Sequence, residues 1–381
     1  MQIRSTKKVI LSLLSFSIII GVLVAGLWPF NFLQGNRISV LPDKHGLSFR
    51  YYSIAYCEEL LRCDLFGSQE CTIELALCSR KESSSSLKQI LCFYNPGDRR
   101  EEVIVAQWIS HIVIMTRNYG GDRNKPFKKT GYRYILPIDS TVFLTITSDS
   151  RNTAVYLNGS LKRVNTGYTF IPDSLFDNTR LIIGNSPRGT SHWTGDMSLL
   201  AMYNTVLDAD SVAGHFNEWR GKGTVSVRPT QIINYRFDEV VNSRVKNKAS
   251  SHYALTIPGK FRVLQKRILE IPWKMMKYRR STILDVLLNI LGFIPFGFFF
   301  SLYASEIKPF SKKNIYALTL LTGFGISFLI EILQVYLPSR DSSLPDLVLN
   351  VFGTCIGIGL LHFAMLFSGP YKTFGAGKSK V

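Results

Sequence analysis

The sequence predicts an α + β multidomain membrane protein, a four-helix transmembrane bundle with an all-β sandwich inserted between helices 1 and 2. Three observations carry this reading. Of the 381 residues 46% are hydrophobic, an ordinary share, but they bunch into four runs at about 9–30, 282–304, 315–337 and 344–367. Each run reaches the ~20 residues that a helix needs to cross hydrocarbon. From about residue 37 to 256 the pattern changes to short alternating segments broken by Gly, Asn, Asp and Pro, the mark of closely spaced strands. The last three apolar runs also carry ionisable and amide groups that a bilayer should reject, so they hold either a functional site or a buried pairing.

Arg4, Lys7 and Lys8 precede the first run and Trp28-Pro29-Phe30 closes it. The run is longer than the apolar part of a signal peptide and no small-residue cleavage site follows. Residues 1–32 therefore read as a cytoplasmic N-terminus and an uncleaved first helix.

The sandwich is assigned to residues 37–257. YRYILPI (132–138), VFLTITSD (142–149), NTAVYLNGSLKRV (152–164), RLIIGNSP (180–187) and DMSLLAMYNTVL (196–207) read as strands. Asn158-Gly159 reads as a hairpin turn, because both residues accept the positive φ of a tight turn. The KESSSSLK run at Lys81 and the basic segment 123–129 read as solvated loops. Cys57, Cys63, Cys71, Cys78 and Cys92 crowd into this region and Cys355 lies in the last helix. No C-x-x-C pair exists, which argues against zinc. Two disulfides with one free thiol, or buried reduced cysteines, both fit.

Residues 258–281 are basic, with Lys260, Arg262, Lys266, Arg267, Lys274, Lys277, Arg279 and Arg280. Phe261, Leu264, Ile268 and Ile271 fall near one helical face, Pro272 breaks the run and Trp273 suits an interface. The segment reads as an amphipathic elbow lying on anionic lipid, with a shapeless basic linker as the alternative. The formal charge of +18 comes with no nucleic-acid motif, and much of it lies beside apolar runs. Anionic lipid or polymer is the expected partner, not nucleic acid.

Residues 282–368 hold helices 2–4. Asp285 and Asn289, Glu331 and Gln334, and Asp346 and Asn350 are each three or four apart, hence on one helix face. Ser327 sits one turn before Glu331, and Arg340 lies in the link between the last two helices. If consecutive helices run antiparallel, all these groups gather near one membrane surface. The structural reading pairs Arg340 with Asp346 or Glu331 and lets the amides bond between helices. Three acids against one Arg leave a surplus, which calls for protonation, a cation or a substrate. Asp285, Asn289, Glu331, Gln334, Arg340, Asp346 and Asn350 are the candidate substrate-binding residues. Glu331 and Asp346 are the candidate general acid or base. No nucleophile motif accompanies them, so enzyme activity is left open. Gly353 and Gly357 offer a small-residue groove for close helix packing, and Pro295 frees a carbonyl inside helix 2.

The short loops set the orientation. Residues 305–313 hold Lys308, Lys312 and Lys313, whereas 338–345 hold only Arg340, balanced by Asp341. The basic tail, 369–381, adds Lys372, Lys378 and Lys380. Both termini are then cytoplasmic, and the sandwich and the polar cluster are extracytoplasmic.

The ordered motifs NILGFIPFG, S-x-x-x-E-x-x-Q and R-x(5)-D-x(3)-N-x-x-G resemble the VanZ-like membrane proteins, and GLWPFNF (26–32) resembles the end of their first helix. The resemblance implies a bacterial cytoplasmic-membrane protein of the cell envelope, with a link to glycopeptide (teicoplanin) resistance. Members often carry an acid where this chain has Ser343. A second set, VYLNGSL, LIIGN, WTGDMSLLAMYNTVLDADSVAGHFNEW and NYRFDE, resembles a concanavalin-like, laminin-G-like jelly roll. That resemblance implies binding of an envelope or exopolysaccharide glycan, with calcium as a candidate cofactor near Asp149 and Asp196. The E-x-D-x-x-E strand of hydrolase relatives is absent. The combined expectation is a protein that holds glycan in its sandwich and a lipid-linked saccharide at its polar cluster. The alternative is a non-enzymatic tethered carbohydrate-binding protein with a purely structural anchor; a small transporter is a weaker third reading.

Overall fold

The computed structural model describes residues 2–41, 45–62, 69–80, 83–119, 125–170, 178–271, 280–307 and 311–367. The chain forms two compact units, one of Leu33–Gln265 and one combining Met1–Phe32 with the chain from Lys266 on.

In chain order the elements begin with α1 (Gln2–Leu27), followed by β1 (Ser39–Leu41), β2 (Gly46–Phe49), β3 (Ala55–Cys57), β4 (Cys71–Ser79) and β5 (Ser83–Asn95). Next come β6 (Arg100–Ile109), β7 (His111–Arg117), β8 (Phe127–Tyr132), β9 (Thr141–Ser148), β10 (Asn152–Leu157) and β11 (Ser160–Thr166). Then follow β12 (Arg180–Ile183), β13 (Gly195–Tyr203), α2 (Ala209–Lys222), β14 (Gln231–Tyr235), β15 (Val240–Val241), β16 (Arg244–Val245) and β17 (Leu255–Thr256).

These strands make two antiparallel sheets. One runs β1-β2-β13-β4-β9-β10-β11 with β14 beside β13, the other β15-β16-β17-β3-β12-β5-β6-β7-β8. Alternate residues of both sheets enter one apolar core: Ile73, Leu75 and Leu77 of β4, Leu144 and Ile146 of β9, Leu91 and Phe93 of β5, Val103 and Val105 of β6. That period of two is what a strand with one face inward produces. The outward faces are covered too, by Phe216 and Trp219 of α2 on one sheet and by Phe261, Val263 and Leu264 on the other.

The β10–β11 hairpin turns at Asn158 (φ 50°) and Gly159 (φ 77°), as the dipeptide requires. Three readings of the sequence are corrected, and the reduced of the two cysteine readings is the one seen. YRYILPI is not a strand: β8 ends at Tyr132, residues 133–134 turn the chain, and Pro137 cannot donate to a ladder. The serines from Ser83 open β5, and Phe127–Lys129 begin β8, so neither segment is wholly loop; residues 81–82 and 123–124 lie outside the described residues. Cys57, Cys71, Cys78 and Cys92 are buried free thiols, with Cys63 outside the described residues. Desolvation pushes the Cys57 thiol up to about 12, so it is poorly disposed to react.

The third correction concerns the elbow. Residues 260–271 are not helical; the Phe261 N–H donates to the Gln34 carbonyl and the Leu264 N–H to that of Pro187. The apolar spacing matched a helical period, but Phe261 packs on the sheet instead. Residues 272–279 lie outside the described residues.

The second unit contains α1, α3 (Arg280–Ile307), α4 (Lys312–Gln334) and α5 (Leu344–Phe367). All four are long and apolar enough to cross a membrane. Their directions alternate, as contacts at both ends require. Lys7 at the start of α1 meets Glu306 at the end of α3 (2.6 Å). Ser301 meets Thr319 (2.9 Å), and Tyr316 near the start of α4 meets His362 near the end of α5 (3.0 Å). At the opposite end the Gln334 amide reaches the Gly26 carbonyl (2.9 Å). α3 runs on through Pro295.

The closest seam joins α3 to α5. A Cβ added to Gly353 would stand 2.3 Å from the Ile290 carbonyl oxygen, one on Gly357 2.2 Å from that of Ile294, and one on Gly297 2.3 Å from that of Thr354. The two backbones touch because these residues have no side chain. We expect Gly353→Val or Gly357→Val to destabilise the bundle by about 1–3 kcal/mol through forced separation. Gly359→Val, where nothing stands within 4 Å, should be near neutral, as read from thermal unfolding of the full chain in detergent.

Candidate functional site

The site grows from the start of α5. The first N–H groups of any helix lack intrahelical partners. Here each is supplied from another segment or from the cap itself. The Ser343 N–H donates to Glu331 Oε2 (2.6 Å), and the Leu344 N–H to the Glu270 carbonyl (3.2 Å). Pro345 has no N–H, and the Asp346 N–H donates to Ser343 Oγ (3.4 Å). Ser343 is thus an N-cap, and Glu331, 1% exposed, brings its carboxyl group to a helix N-terminus, where the dipole favours the anion.

Around this point the seven candidates are brought together unequally. The Asp346 carboxyl lies near the Asn289 and Ser343 side chains and within electrostatic reach of Asp285 and Arg340; Glu331 lies within reach of Asp346. Asp285 is exposed and Asn289 half-buried. The Asn350 amide donates to Ser327 Oγ (2.9 Å), tying α5 to α4. Arg340 departs from the expected ion pairs: its Nε donates to the Trp28 carbonyl (2.9 Å), and among the described residues it forms no ion pair with Glu331 or Asp346.

Donors run short here. Gln334 and Asn350 are 8% and 4% exposed, each spends its NH₂ group on one acceptor, and Gln334 Oε1 and Asn350 Oδ1 are buried without a partner. An unsatisfied buried acceptor costs about 1–3 kcal/mol. The two nearby cations, Arg340 and Lys266, are committed to backbone carbonyls.

One of those cations could not be found by motif. Lys266 donates to the carbonyls of Leu337 (2.9 Å) and Arg340 and lies 3.4 Å from Asp341. Burial pulls its ammonium below the ordinary lysine range, and Asp341 partly restores it. The Leu269 N–H on Ser342 Oγ (3.0 Å) and the Glu270 N–H on the Ser342 carbonyl (2.9 Å) strap residues 266–270 across the link. The sequence signal was only the basic run, read there as lipid-facing.

In the sandwich the acids considered for calcium are engaged otherwise. Asp196 Oδ2 accepts from Arg80 Nε (2.9 Å) and Nη2 (2.6 Å), and Asp149 Oδ1 accepts from the N–H groups of Arg151 and Asn152 (both 2.6 Å). Among the described residues no group of three or more His, Cys, Asp or Glu could hold a metal ion.

Residues 230–366 match the family model VanZ/LLP1, and residues 114–213 match the concanavalin A-like lectin/glucanases superfamily. No curated protein matches the chain. Solved structures similar to it include the receptor binding domain of botulinum neurotoxin C/D mosaic serotype, at 12% identity and TM-score 0.38, covering 48% of this chain and 45% of that one. Another is the botulinum neurotoxin type G receptor binding domain, at 16% and 0.35, covering 49% and 45%. A third is the botulinum neurotoxin serotype D ligand binding domain in complex with N-acetylneuraminic acid, at 11% and 0.36, covering 49% and 45%. The chain spans less than half the length of each.

The cap makes a prediction about Glu331. Glu331→Gln keeps an oxygen that accepts from the Ser343 N–H, so folding should survive. Glu331→Ala leaves that N–H buried and unpaired and should cost about 1–3 kcal/mol, with Ser343→Ala costing about 0.5–2 kcal/mol. Unfolding of the three variants in detergent checks this order; a Glu331→Gln loss as large as that of Glu331→Ala would refute the cap.

Proposed function

We propose that this multi-pass membrane protein works in the bacterial cell envelope, holding a glycan in its β-sandwich and the headgroup of a lipid-linked saccharide at the polar cluster of α3, α4 and α5. The observation that carries the second half is the shortage of donors: Gln334 Oε1 and Asn350 Oδ1 have no partner, beside Asp285, Glu331 and Asp346. A sugar headgroup brings several hydroxyl donors at once and would satisfy them. The concanavalin-like match over 114–213 supports the first half, and the VanZ/LLP1 match supports work in a membrane. The orientation that follows from the loop charges keeps both termini cytoplasmic and the sandwich outside, in the inner membrane. Glycopeptide resistance would be one outcome of altering such a lipid-linked intermediate.

Within this reading the residues divide by what holds them. Glu331 is committed to the start of α5 and positions the others. Asp285, Asn289 and Asp346 form the outer part and accept from the headgroup; Gln334 and Asn350 accept deeper in. Asp346 is the better placed of the two candidates for proton exchange, since Glu331 is held by the cap. Arg340 stands near enough to Asp346 to moderate its charge. No bond-making step is assigned.

The second reading, a tethered glycan binder on a structural anchor, is favoured by the interhelical bonds of Gln334 to Gly26 and Asn350 to Ser327. One comparison separates the two. Asp285 is exposed and Asp285→Asn should leave folding intact. Lipid-linked envelope saccharides are profiled by mass spectrometry in wild type, a deletion strain, and Asp285→Asn and Asp346→Asn strains at equal membrane abundance. The proposed site requires both variants to accumulate the same intermediate as the deletion. An effect of the deletion alone would leave the structural anchor.

A further inference from the structure

One end of the sandwich carries aromatic side chains in water, where burial would be the ordinary outcome. Trp108 at the end of β6 is 44% exposed and Tyr134, just past β8, is 77% exposed. His111 stands between them, its ring centroid 5.6 Å from that of Trp108 and 5.1 Å from that of Tyr134, each edge to face. The arrangement is fixed by the backbone. Trp108 and His111 are directly opposite in the β6–β7 ladder, Gln107 Nε2 donates to the Ile109 carbonyl (2.7 Å), and the Leu136 N–H to that of Ser110 (3.0 Å). Ile109 and Tyr134 sit at φ 57° and 56°, a region that bulky residues seldom adopt. The Tyr134 N–H donates to His111 Nδ1 (3.2 Å), so the neutral ring carries its proton on Nε2, where it is a donor.

The strand leading to this end is basic. β8 is the edge of its sheet and β11 the edge of the other, and the two meet where Asn165 Nδ2 donates to Thr130 Oγ1 (2.6 Å). Lys128 shares the parity of Thr130 and Tyr132 along β8, and Arg163 of β11 lies within electrostatic reach of Tyr132. Lys128, Lys129, Arg133, Lys162 and Arg163 are all exposed, and among the described residues none makes an ion pair, unlike Arg80, Arg117, Arg228 and Arg244. From Lys128 to Tyr132 the edge runs about 13 Å at ~3.3 Å per residue. Lysines on an edge strand also discourage edge-to-edge association, but that role needs neither Arg163 at the seam nor exposed rings beyond it.

We propose that the Trp108–His111–Tyr134 end and the β8–β11 seam form one binding surface for an anionic glycan, a polysaccharide bearing carboxylate or phosphate groups. The apolar C–H face of a pyranose ring rests on the electron-rich face of an aromatic ring, His111 Nε2 donates to a ring or hydroxyl oxygen, and Lys128 and Arg163 meet the anionic groups of the following residues, Arg163 by its planar fork. This deepens the glycan-binding half of the proposed function and rests on it.

The test uses the full chain in detergent against immobilised polygalacturonate, alginate, glycerol-phosphate teichoic acid and neutral dextran. Wild type should bind at least one anionic polymer at least ten times more tightly than dextran, and more weakly as salt rises. Tyr134→Ala, Trp108→Ala and the pair Lys128→Gln with Arg163→Gln should each lower that binding about tenfold or more, while Lys248→Gln, on a residue already ion-paired, should not. Melting curves identify any variant that fails to fold; Tyr134→Ala, at the most exposed of the rings, is then decisive. Binding that all the variants retain, or equal binding of dextran, overturns this surface while leaving a glycan-binding sandwich. Binding of no polymer by wild type overturns the glycan reading itself.

Discussion

The bundle depends on how its last helix, α5, begins. A helix start leaves its first N–H groups without intrahelical partners, and the chain resolves this with the Glu331 carboxyl on the Ser343 N–H, a proline at a position where no N–H is needed, and the Glu270 carbonyl on the Leu344 N–H. Once α5 is pinned at that point, its register follows. Asn350 comes opposite Ser327, and the glycines one and two turns later come against α3, where any side chain would collide with a carbonyl oxygen. The cap, the amide bond and the glycine seam are successive consequences of one placement. The same placement uses up the donors, since Lys266 and Arg340 go to backbone carbonyls. The orphaned oxygens of Gln334 and Asn350 are what remains.

What could be read from the sequence was what the membrane constrains most strongly. Spanning length and the cost of polar groups in lipid expose the four helices without any structure, and single out the Asp, Glu, Asn and Gln positions within them. The partners of Arg340 and Lys266 could not be read, because a backbone carbonyl leaves no trace in the residue code. Arg340 looked like the counter-ion of an acid; it meets the Trp28 carbonyl. The elbow failed for a related reason. Phe261, Leu264, Ile268 and Ile271 sample a helical period over too few turns to distinguish it from coincidence, and contacts of Phe261 with the sheet decide the matter.

In the sandwich, local signals did well and long-range ones poorly. Asn158-Gly159 fixes its own turn, so the hairpin was legible. The fate of Asp196 depends on Arg80, 116 residues earlier, and no spacing rule connects them. Nor does any sequence pattern announce that Trp108 and Tyr134 stay in water: a Trp closing one strand and a Tyr beyond another look like core residues until both ladders have been placed. Strands that bury both faces, as β4 and β6 do, blur alternation further, so segments such as YRYILPI pass for strands on composition alone.

The two proposed sites have opposite electrical characters, and this restricts what one ligand can offer each. The seam of β8 and β11 presents unpaired cations and attracts carboxylate or phosphate over distances limited by salt. The membrane cluster presents acids and bare amide oxygens, which accept hydrogen bonds and offer a phosphate no donor. A lipid-linked saccharide entering the cluster must therefore lead with its hydroxyl groups and keep its phosphate apart from the acids, whereas the polymer held by the sandwich is selected for the charge that the cluster excludes. On this reading the chain distinguishes the neutral face of a sugar from its anionic substituents by reading each at a different unit.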